Sequence, residues 1–321
     1  MNNTIIVTYN ASTKRLVLNT PFHLVDAARS FPSRRFDPKT KTWQVPLTKA
    51  NILHLDKAKH RYDFRLHPEA VESLKASESI MAAPKQIPFP TWYDFTTNAK
   101  VKYDPMAHQR KMLDMAWGLK SVAWFAKMGT GKTYAAIHLA CARYTDGQID
   151  GVVVVCPATL RKTWQKELAK YATVDYDFRI HDPRATWYEE FCTNPPAGKL
   201  PILAVSVEGL GHSESLYKSV CEFFPGKRIL TICDESSRIK TPDAKRTKRS
   251  IDLGYFSTYK MILNGTPIAL GVHDLWSQFQ FLDPNIIGTG DYWAFKTRYL
   301  VMGGFENRQI VGVQRMPELM Q

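Results

Sequence analysis

Five short apolar runs between residues 121 and 264 constrain the fold of this chain most strongly. They are rich in β-branched residues and do not alternate with polar ones: SVAWFA, GVVVVC, PILAVSV, RILTIC and YKMILN. Strands of this kind are buried on both faces, as in a parallel sheet. Segments with helical periodicity, such as TLRKTWQKELAKYA and SLYKSVCEFF, lie between the runs. The pattern predicts an α/β domain in which crossover helices connect parallel strands.

The length, composition and charge of the chain indicate what class of protein it is. A chain of 321 residues is long enough for two domains, and 44% hydrophobic with 23% charged residues is a globular composition. The formal net charge is +13, which favours a polyanionic partner such as nucleic acid. Many basic proteins are merely soluble, so charge alone leaves that alternative open.

The chain divides into three predicted parts. Residues 1–75 read as strand, strand, helix, a hairpin turning at Asp37-Pro38 and another helix, which makes a small basic α+β domain. Residues 76–100 contain three prolines without sustained periodicity and are predicted to be a linker, packed locally by Phe89, Trp92, Tyr93 and Phe95. Residues 101–321 carry the α/β pattern.

The cysteines and the N-terminus indicate the cellular compartment in which the protein is found. Five scattered cysteines show no C-x-x-C spacing, which is typical of reduced core thiols. The N-terminus lacks a signal-peptide pattern, and no apolar run approaches the ~20 residues that span a bilayer. We therefore expect an intracellular, cytoplasmic protein without a membrane partner.

A glycine-rich turn follows the first apolar run, in SVAWFAKMGTGKTYAAI. Gly129, Thr130 and Gly131 allow backbone N–H groups to converge on phosphate oxygens at a helix N-terminus. Lys132 would reach the β- and γ-phosphates, and the Thr133 hydroxyl would bind Mg²⁺. The alternative is a helix-capping turn with a surface lysine, which the flanking strand and helix disfavour.

Two acidic residues follow the run RILTIC. Asp234 leaves the strand at its carboxyl end, where open α/β sheets bind ligands, and Glu235 is a candidate general base. A solvated turn is the more frequent explanation for such a pair by itself. Together with Lys132 and Thr133, the pair predicts a nucleotide site in which Asp234 helps to hold the metal.

These motifs carry a family resemblance. AKMGTGKT, DESSRIK and NGTPIALGVHDLW resemble motifs I, II and III of the SNF2 family of superfamily 2 helicase-like ATPases. The phosphate-loop consensus has glycine where this chain has Ala126, but superfamily 2 loops often begin with alanine. Further matches, in the expected order, are PMAHQRKMLDMAW, VVVVCPATLRKTWQKEL and AVSVEGL.

The resemblance covers about residues 101–315 and implies a RecA-like first lobe. It implies ATP and Mg²⁺ as cofactors, translocation along duplex DNA, and catalytic roles for Lys132, Asp234 and Glu235. It implies that Gln109 reads the adenine edge, and that the element with Ser206 and Glu208 lies along the nucleic-acid path. Motif III would couple the phosphates to the DNA-contacting surface through the residues Gly265, Thr266 and Pro267. Without the family, that segment reads as a turn that ends a strand.

Candidate DNA contacts lie after the second run. Thr159 stands at a predicted helix start, with Arg161 and Lys162 nearby, and such positions suit phosphate contact. The basic run SRIKTPDAKRTKR is balanced between a DNA surface and a solvated face. Trp164, at helical spacing from Leu160 and Leu168, is predicted to be core and not a base-stacking platform.

The first domain resembles the HARP domain of annealing helicases over about residues 5–70, through SFPSRRFDPKTKTWQVPL. Residues 1–90 carry 14 Lys and Arg against 7 Asp and Glu, a footprint suited to phosphates. Trp43 is predicted to pack in the core in preference to stacking on a base. The candidate DNA-binding residues of the hairpin are Arg34, Arg35, Lys39 and Lys41.

The combined expectation is a DNA-stimulated ATPase that remodels forked DNA or reanneals strands. Members of the resembled family use two RecA-like lobes, so we expect a second lobe as a partner and slow turnover by residues 1–321 alone. YWAFKTRYLVMGGF is similar to phage-encoded members. Two alternatives stay open: a non-catalytic DNA- or partner-binding module, and a small-molecule kinase, which the basic first domain and the DES element disfavour.

Overall fold

A computed structural model describes residues 3–11, 13, 15–31, 34–47, 49–81, 87–97, 103–182, 184–307 and 309–319. The chain forms two compact units, residues 84–283 and residues 1–83 together with 284–321. The predicted linker spans 76–100, of which 82–86 and 98–100 lie outside the described residues. The domain boundaries inferred from sequence remain predictions.

The N-terminal part of the first unit is a five-stranded sheet with three helices. Its elements are β1 (Thr4–Asn10), β2 (Arg15–Asn19), α1 (Val25–Arg29), β3 (Arg35–Asp37), β4 (Thr42–Pro46), α2 (Lys49–Lys59), β5 (Asp63–Leu66) and α3 (Pro68–Met81). The strand order is β3-β4-β2-β1-β5, and only the β1–β5 pair is parallel. The predicted strand pair, hairpin and two helices are confirmed. The sequence analysis did not find β5 or α3.

Alternation along β1 and β2 explains this sheet. Ile5 and Val7 on β1, with Leu16 and Leu18 on β2, are buried, while the residues between them are partly exposed. Period-2 alternation of this kind buries one face of an antiparallel sheet. Phe31, which follows α1, is buried in the same apolar cluster.

The second unit is a six-stranded sheet with helices. Its strands are β6 (Ser121–Phe125), β7 (Gly151–Cys156), β8 (Tyr176–Ile180), β9 (Leu200–Ser206), β10 (Ile229–Asp234) and β11 (Tyr259–Asn264). The helices are α4 (Ala107–Trp117), α5 (Lys132–Thr145), α6 (Arg161–Tyr171), α7 (Tyr188–Thr193), α8 (Val207–His212), α9 (Glu214–Cys221), α10 (Lys245–Phe256) and α11 (Asp274–Leu282). The strand order is β6-β11-β10-β7-β9-β8, and every neighbouring pair is parallel. The fold is the expected α/β, RecA-like parallel sheet with crossover helices.

This strand order places the motifs. The glycine-rich turn follows β6 and the acidic pair ends β10, while motif III follows β11, which lies between those two strands. Because all strands are parallel, the three segments leave the sheet at the same edge. Strands β7 and β9 are buried throughout, as the apolar runs predicted.

The aromatic segment before α4 packs on this unit. Phe89, Tyr93 and Phe95 are buried in the same apolar cluster as α4 and α5. The Tyr93 hydroxyl forms hydrogen bonds with His138 Nδ1 at 2.9 Å and with Thr173 Oγ1 at 2.5 Å. These contacts fix the segment 87–97 against the helical face of the sheet.

Residues 284–319 belong to the first unit. They form α12 (Tyr292–Tyr299), an antiparallel hairpin of β12 (Leu300–Gly303) and β13 (Gln309–Val313), and the short α13 (Met316–Leu319). Throughout the described part of the chain, no helix is long and apolar enough to cross a membrane. All five cysteines are free thiols, and four of them are buried.

Candidate functional site

One cavity of about 560 Å³ lies at the sheet edge where β6 and β10 end. It is lined by residues of the helix before β6, of the glycine-rich turn and of the acidic pair. The lining includes these residues from the sequence prediction: Gln109, Gly129, Gly131, Lys132, Thr133, Asp234 and Glu235. Residues of α6 also line the cavity, so four segments that are distant in sequence meet around one space.

The turn after β6 depends on two glycines. Gly129 and Gly131 have φ values of 79° and 78°, in the left-handed region that side chains with a Cβ rarely adopt. Gly131 is the N-cap of α5, and Lys132 is the first residue of that helix. The turn therefore opens directly into a helix N-terminus, where backbone N–H groups have no partner within the helix.

Lys132 is held inside the turn. Its Nζ donates to the carbonyl oxygen of Ala126 at 2.7 Å and to that of Lys127 at 3.1 Å. These two carbonyl oxygens accept the hydrogen bonds from Lys132 that phosphate oxygens would accept in a nucleotide-binding site. These two bonds place the ammonium group over the turn.

Helix α4 holds the turn from the other side. Gln109 is buried; its Nε2 donates to the Thr130 carbonyl oxygen at 3.1 Å, and its Oε1 accepts from the Met106 N–H at 3.0 Å. His108 Nε2 donates to the same Thr130 carbonyl oxygen at 2.9 Å. A Cβ on Gly131 would lie 2.2 Å from Gln109 Nε2. The contact of Gln109 with adenine remains a prediction, whereas its contact with the turn is observed.

Asp234, like Glu235, is half-buried. Burial raises the pKa of its carboxyl group, while hydrogen bonds from the Trp164 indole and from the Glu235 N–H act in the opposite direction. Glu235 has a φ of 52°, which is uncommon for a non-glycine residue. This backbone conformation turns the chain sharply after β10, at the end of the strand, where the cavity begins.

Trp164 was predicted to be a core residue, and its 2% exposure confirms this. The structure adds a second property, because Nε1 of its indole donates to Asp234 Oδ2 at 2.9 Å. The two residues are 70 positions apart, so helical periodicity around Trp164 gave no signal of this bond. The sequence analysis also missed Tyr103, Tyr134 and Tyr171, which line the same cavity.

The donor set fits a nucleotide with magnesium. Mg²⁺ prefers hard oxygen ligands, and the Thr133 hydroxyl and the Asp234 carboxylate share this cavity. Among the described residues, no three His, Cys, Asp or Glu side chains group to form a metal cage.

A buried polar network joins the acidic pair to motif III. Ser236 Oγ donates to Gln278 Oε1 at 2.5 Å, and Gln278 Nε2 donates to the Pro267 carbonyl oxygen at 2.9 Å. Asn264 Oδ1 accepts from the Thr266 N–H at 2.9 Å. Gly265, Thr266 and Pro267 do not line the cavity. Besides this network, Gly265 lies next to the glycine-rich turn, since a Cβ on it would be 3.4 Å from Cγ of Met128, which lines the cavity. Ser236, Asn264 and Gln278 were not identified from the sequence.

The predicted DNA contacts of this unit lie at the start of α6. Thr159 and Lys162 are exposed, and Arg161 is half-buried with its Nε donating to the Ala158 carbonyl oxygen at 3.2 Å. Glu208 Oε2 accepts from the Ala158 N–H at 3.1 Å and from Ser206 Oγ at 3.0 Å. Although burial acts to raise the pKa of Glu208, these hydrogen bonds hold it below its ordinary value. Glu208 therefore braces the segment that presents Thr159.

Part of the basic run 238–249 is engaged within the protein. Lys240 lies 3.5 Å from Asp274, and Arg249 pairs with Glu214 while donating to backbone carbonyl oxygens. Such residues are held in place and have fewer donors free for a ligand. Arg238 and Lys245 of this run are exposed.

The hairpin residues of the first unit surround β3 and β4. The side chains of Arg34, Arg35, Lys39 and Lys41 are all exposed. Trp43 is half-buried; it packs against the apolar cluster of this unit, and its ring centroid lies 5.1 Å from that of Phe36. The core role predicted for Trp43 is confirmed.

Comparison with known proteins gives the family. The SNF2-related domain matches residues 108–321. The chain is 23% identical over 277 residues to Protein CHROMATIN REMODELING 24 of Arabidopsis thaliana, covering 84% of this chain and 25% of that protein. It is 23% identical over 292 residues to a Caenorhabditis elegans homologue of SWI/SNF-related matrix-associated actin-dependent regulator of chromatin subfamily A-like protein 1, covering 87% of this chain and 38% of that protein.

A solved structure is also similar. The Sulfolobus solfataricus SWI2/SNF2 ATPase core in complex with dsDNA is 25% identical with a TM-score of 0.46, covering 62% of this chain and 39% of that one. The chain thus spans well under half the length of these relatives. Since the SNF2-related domain matches about two thirds of the chain, the chain belongs to the SNF2 family of superfamily 2 helicase-like ATPases.

Proposed function

We propose that this chain contains the nucleotide-binding lobe of an ATP-dependent DNA translocase. The observation that carries the proposal is the meeting of Lys132, Thr133, Asp234 and Glu235 in one cavity at the carboxyl edge of a parallel sheet. Ligands of open α/β sheets bind at this edge. Family membership at the level of the SNF2-related domain supports the same class of activity.

Each residue has a role that follows from its chemistry. The N–H groups of 129–133 and the Lys132 ammonium would bind the β- and γ-phosphates, exchanging the present carbonyl acceptors of Lys132 for phosphate oxygens. Thr133 and Asp234 would hold Mg²⁺, which neutralises phosphate charge when bound. Glu235 would orient and deprotonate the attacking water. Gln109, which contacts the glycine-rich turn, would recognise the adenine base.

Motif III is proposed to couple nucleotide state to DNA. The bond between Ser236 and Gln278, and that between Gln278 and Pro267, join the segment after Glu235 to motif III without a gap. Displacement of either end would be felt at the other, because buried hydrogen bonds are costly to leave unmade. Thr159, Arg161 and Lys162 are the proposed phosphate contacts on duplex DNA.

The first domain is proposed to be HARP-like and to recognise forked DNA. Support comes from its excess of basic residues and from the exposure of Arg35, Lys39 and Lys41 at the β3–β4 hairpin. Fork remodelling or strand annealing is the proposed activity of the whole protein. The relation to phage-encoded proteins is likewise a proposal.

Calorimetric titration of residues 1–321 with a non-hydrolysable ATP analogue and Mg²⁺ tests the nucleotide site. Lys132→Ala should weaken binding by at least about tenfold, since a charge-assisted bond to phosphate is lost. Lys127→Ala is the matched control, because Lys127 is an exposed lysine of the same turn. Equal affinities for wild type and Lys132→Ala would refute the site.

Fluorescence anisotropy with labelled duplex and forked DNA tests the partner. Charge reversal of Arg35, Lys39 and Lys41 should weaken fork binding and reduce its salt dependence. Replacement of Thr159 and Lys162 by acidic residues should weaken duplex binding. Unchanged affinity in both variants would remove DNA from the proposal.

A further inference from the structure

A second cavity, of about 240 Å³, lies within the unit formed by residues 1–83 and 284–321. It is lined by three arginines from separate segments and by a tryptophan: Arg34, Arg298, Arg315 and Trp293. Arg34 precedes β3, Arg298 and Trp293 are on α12, and Arg315 follows β13. None of these residues belongs to the nucleotide site.

The charge of this pocket is positive. Among the described residues no acidic side chain lines it, and one carboxylate, that of Glu318, contacts two of its three guanidinium groups. Glu318 Oε1 accepts from Arg298 Nε at 2.6 Å, and Glu318 Oε2 lies 3.8 Å from Arg315 Nη1. Arg34 donates to the Phe31 carbonyl oxygen, a weak 3.3 Å contact. Three positive charges therefore face one negative charge, which leaves an excess for an anion.

The neighbouring His54 responds to this charge. Burial lowers the pKa of its imidazole first, and the positive charge of Arg298 lowers it further. Lys57 on the same helix contributes in the same direction. The positive charge of Arg298, which lines the pocket, therefore extends to His54 on α2.

Trp293 supplies an apolar plane at the rim. It is 74% exposed, although a large aromatic ring is normally among the better buried side chains. Thr297, one helical turn along α12, lines the same pocket and bonds back to the Trp293 carbonyl oxygen at 3.0 Å. Arg315 has a φ of 56°, an unfavourable backbone conformation for a residue with a Cβ. Strained residues of this kind cluster at binding sites.

We infer that this pocket binds one nucleotide of single-stranded DNA, with the phosphate between Arg34 and Arg315 and the base stacked on Trp293. The inference rests on the proposed DNA function and deepens it by naming a single-strand subsite. Bases within a duplex are already stacked on one another, and an aromatic side chain can cover the face of an unstacked base only.

The test compares two oligomers on the whole chain, residues 1–321. Fluorescence anisotropy would use labelled oligo(dT) of about ten nucleotides and an abasic deoxyribose-phosphate oligomer of equal length. Trp293→Ala should weaken oligo(dT) binding at least about fivefold and leave the abasic oligomer unaffected, since base stacking alone is lost. Trp293→Phe should restore most of the loss. Arg315→Gln should weaken both oligomers and reduce the salt slope by about one.

Matched controls come from the same chain. Trp92→Ala removes another tryptophan of high exposure, 51%, and Arg29→Gln removes an exposed arginine that pairs with Asp26 at 3.6 Å. Neither control should change the affinity for oligo(dT). Chemical unfolding of every variant establishes that the first unit is intact.

Several outcomes overturn the inference. Oligo(dT) binding that survives Trp293→Ala, or an equal loss with the abasic oligomer, would exclude stacking. Tighter binding of oligo(U) than of oligo(dT) would assign the pocket to RNA. Titrations with duplex DNA and with an ATP analogue distinguish the subsite from the proposed function. If both ligands bind but Trp293→Ala does not weaken oligo(dT) binding, only the subsite is wrong. If neither binds the wild type, the proposed function fails.

Discussion

The indole N–H of Trp164 donates a 2.9 Å hydrogen bond to Oδ2 of Asp234, joining α6 to the end of β10. The bond is partly shielded from water, because Trp164 is 2% exposed and Asp234 is half-buried. The other carboxylate oxygen, Oδ1, accepts from the Glu235 N–H at 3.0 Å. The orientation of the carboxylate is thus fixed at both oxygens, which suits the proposed role of Asp234 as a metal ligand.

A double-mutant cycle should measure the energy of this bond. Trp164→Phe removes the donor and should lower the free energy of unfolding by about 1–3 kcal/mol, because the acceptor is a buried carboxylate. In the Asp234→Ala background the same substitution should lower the free energy of unfolding by a smaller amount, at least about 1 kcal/mol smaller. The difference between the two backgrounds is the coupling energy. Urea unfolding of the four proteins supplies the values.

Trp124 provides the control for this cycle. It is equally buried, but its Nε1 has no hydrogen-bond partner among the described residues. Trp124→Phe should therefore show no coupling to Asp234→Ala. Comparable coupling energies for the two tryptophans would mean that packing, and not the hydrogen bond, explains the effect at Trp164.

Gly131→Ala should be more damaging than its backbone strain alone. The left-handed φ of 78° costs a residue with a Cβ about 1–2 kcal/mol. In addition the new Cβ would lie 2.2 Å from Gln109 Nε2, so the glutamine would have to leave the Thr130 carbonyl oxygen. We expect both a lower unfolding midpoint in urea and weaker binding of an ATP analogue in calorimetry.

Gly129→Ala separates strain from collision. Its φ is 79°, yet apart from its two chain neighbours no described residue has an atom within 4 Å of the position that its Cβ would take, so this variant carries the strain alone. Combining Gly131→Ala with Gln109→Ala should recover part of the lost stability, since the clashing atom is removed. Equal destabilisation by the two alanine variants would contradict the steric explanation.

Stability should fall in mild acid because of His138. Burial lowers its pKa from the ordinary 6.5 to about 4 in the folded protein. Between pH 6.5 and pH 4 the unfolded chain binds a proton at this histidine that the folded chain does not bind. The contribution of His138 to stability is therefore fully present above pH 6.5 and is lost as the pH falls towards 4. The full contribution is up to about 3 kcal/mol. Burial gives His181 the same direction, with a pKa of about 4, so both act in one window.

His138→Asn should reduce the slope of unfolding free energy against pH and leave the part contributed by His181 and His54, whose pKa values are also lowered by burial. Asparagine keeps a polar partner for the Tyr93 hydroxyl, which lies 2.9 Å from His138 Nδ1, but does not titrate. His60→Asn, at an exposed position, serves as the control and should leave the slope unchanged. A slope in His138→Asn identical to that of the wild type would show that this histidine does not carry the effect.

Sequence reasoning succeeded where chemistry is local. Gly129, Gly131, Lys132 and Thr133 are consecutive or nearly so, and the conformation of the turn follows from glycine alone. The buried strands were visible because a parallel strand covered on both faces has no polar positions. Asp234 lies in the cavity with Lys132 because it terminates such a strand, and its role there remains a prediction.

The parts that were missed depend on tertiary contacts. Strand β8 reads YDFRI and is half-buried at the sheet edge, so it lacks the apolar signature of the central strands. The bonds of Trp164 to Asp234 and of Gln278 to Pro267 connect residues on different elements. Likewise, Arg34 and Arg315 are at opposite ends of the sequence and meet at one pocket. No periodicity along the chain encodes such pairs.

Gln278→Ala should uncouple the two proposed ligands. If motif III transmits nucleotide state, duplex DNA changes the affinity for the ATP analogue, typically about five- to 150-fold, and the analogue changes DNA affinity by the same factor. Removing Gln278 breaks the bonds to Ser236 and Pro267, so most of this factor should disappear while each ligand alone still binds. Calorimetry with and without DNA measures this change in the affinity for the ATP analogue.

Gln280→Ala is the control, because Gln280 is buried on the same helix but its Nε2 has no partner within the described part of the chain. An unchanged factor in Gln278→Ala, or equal loss in both variants, would exclude this network as the connection.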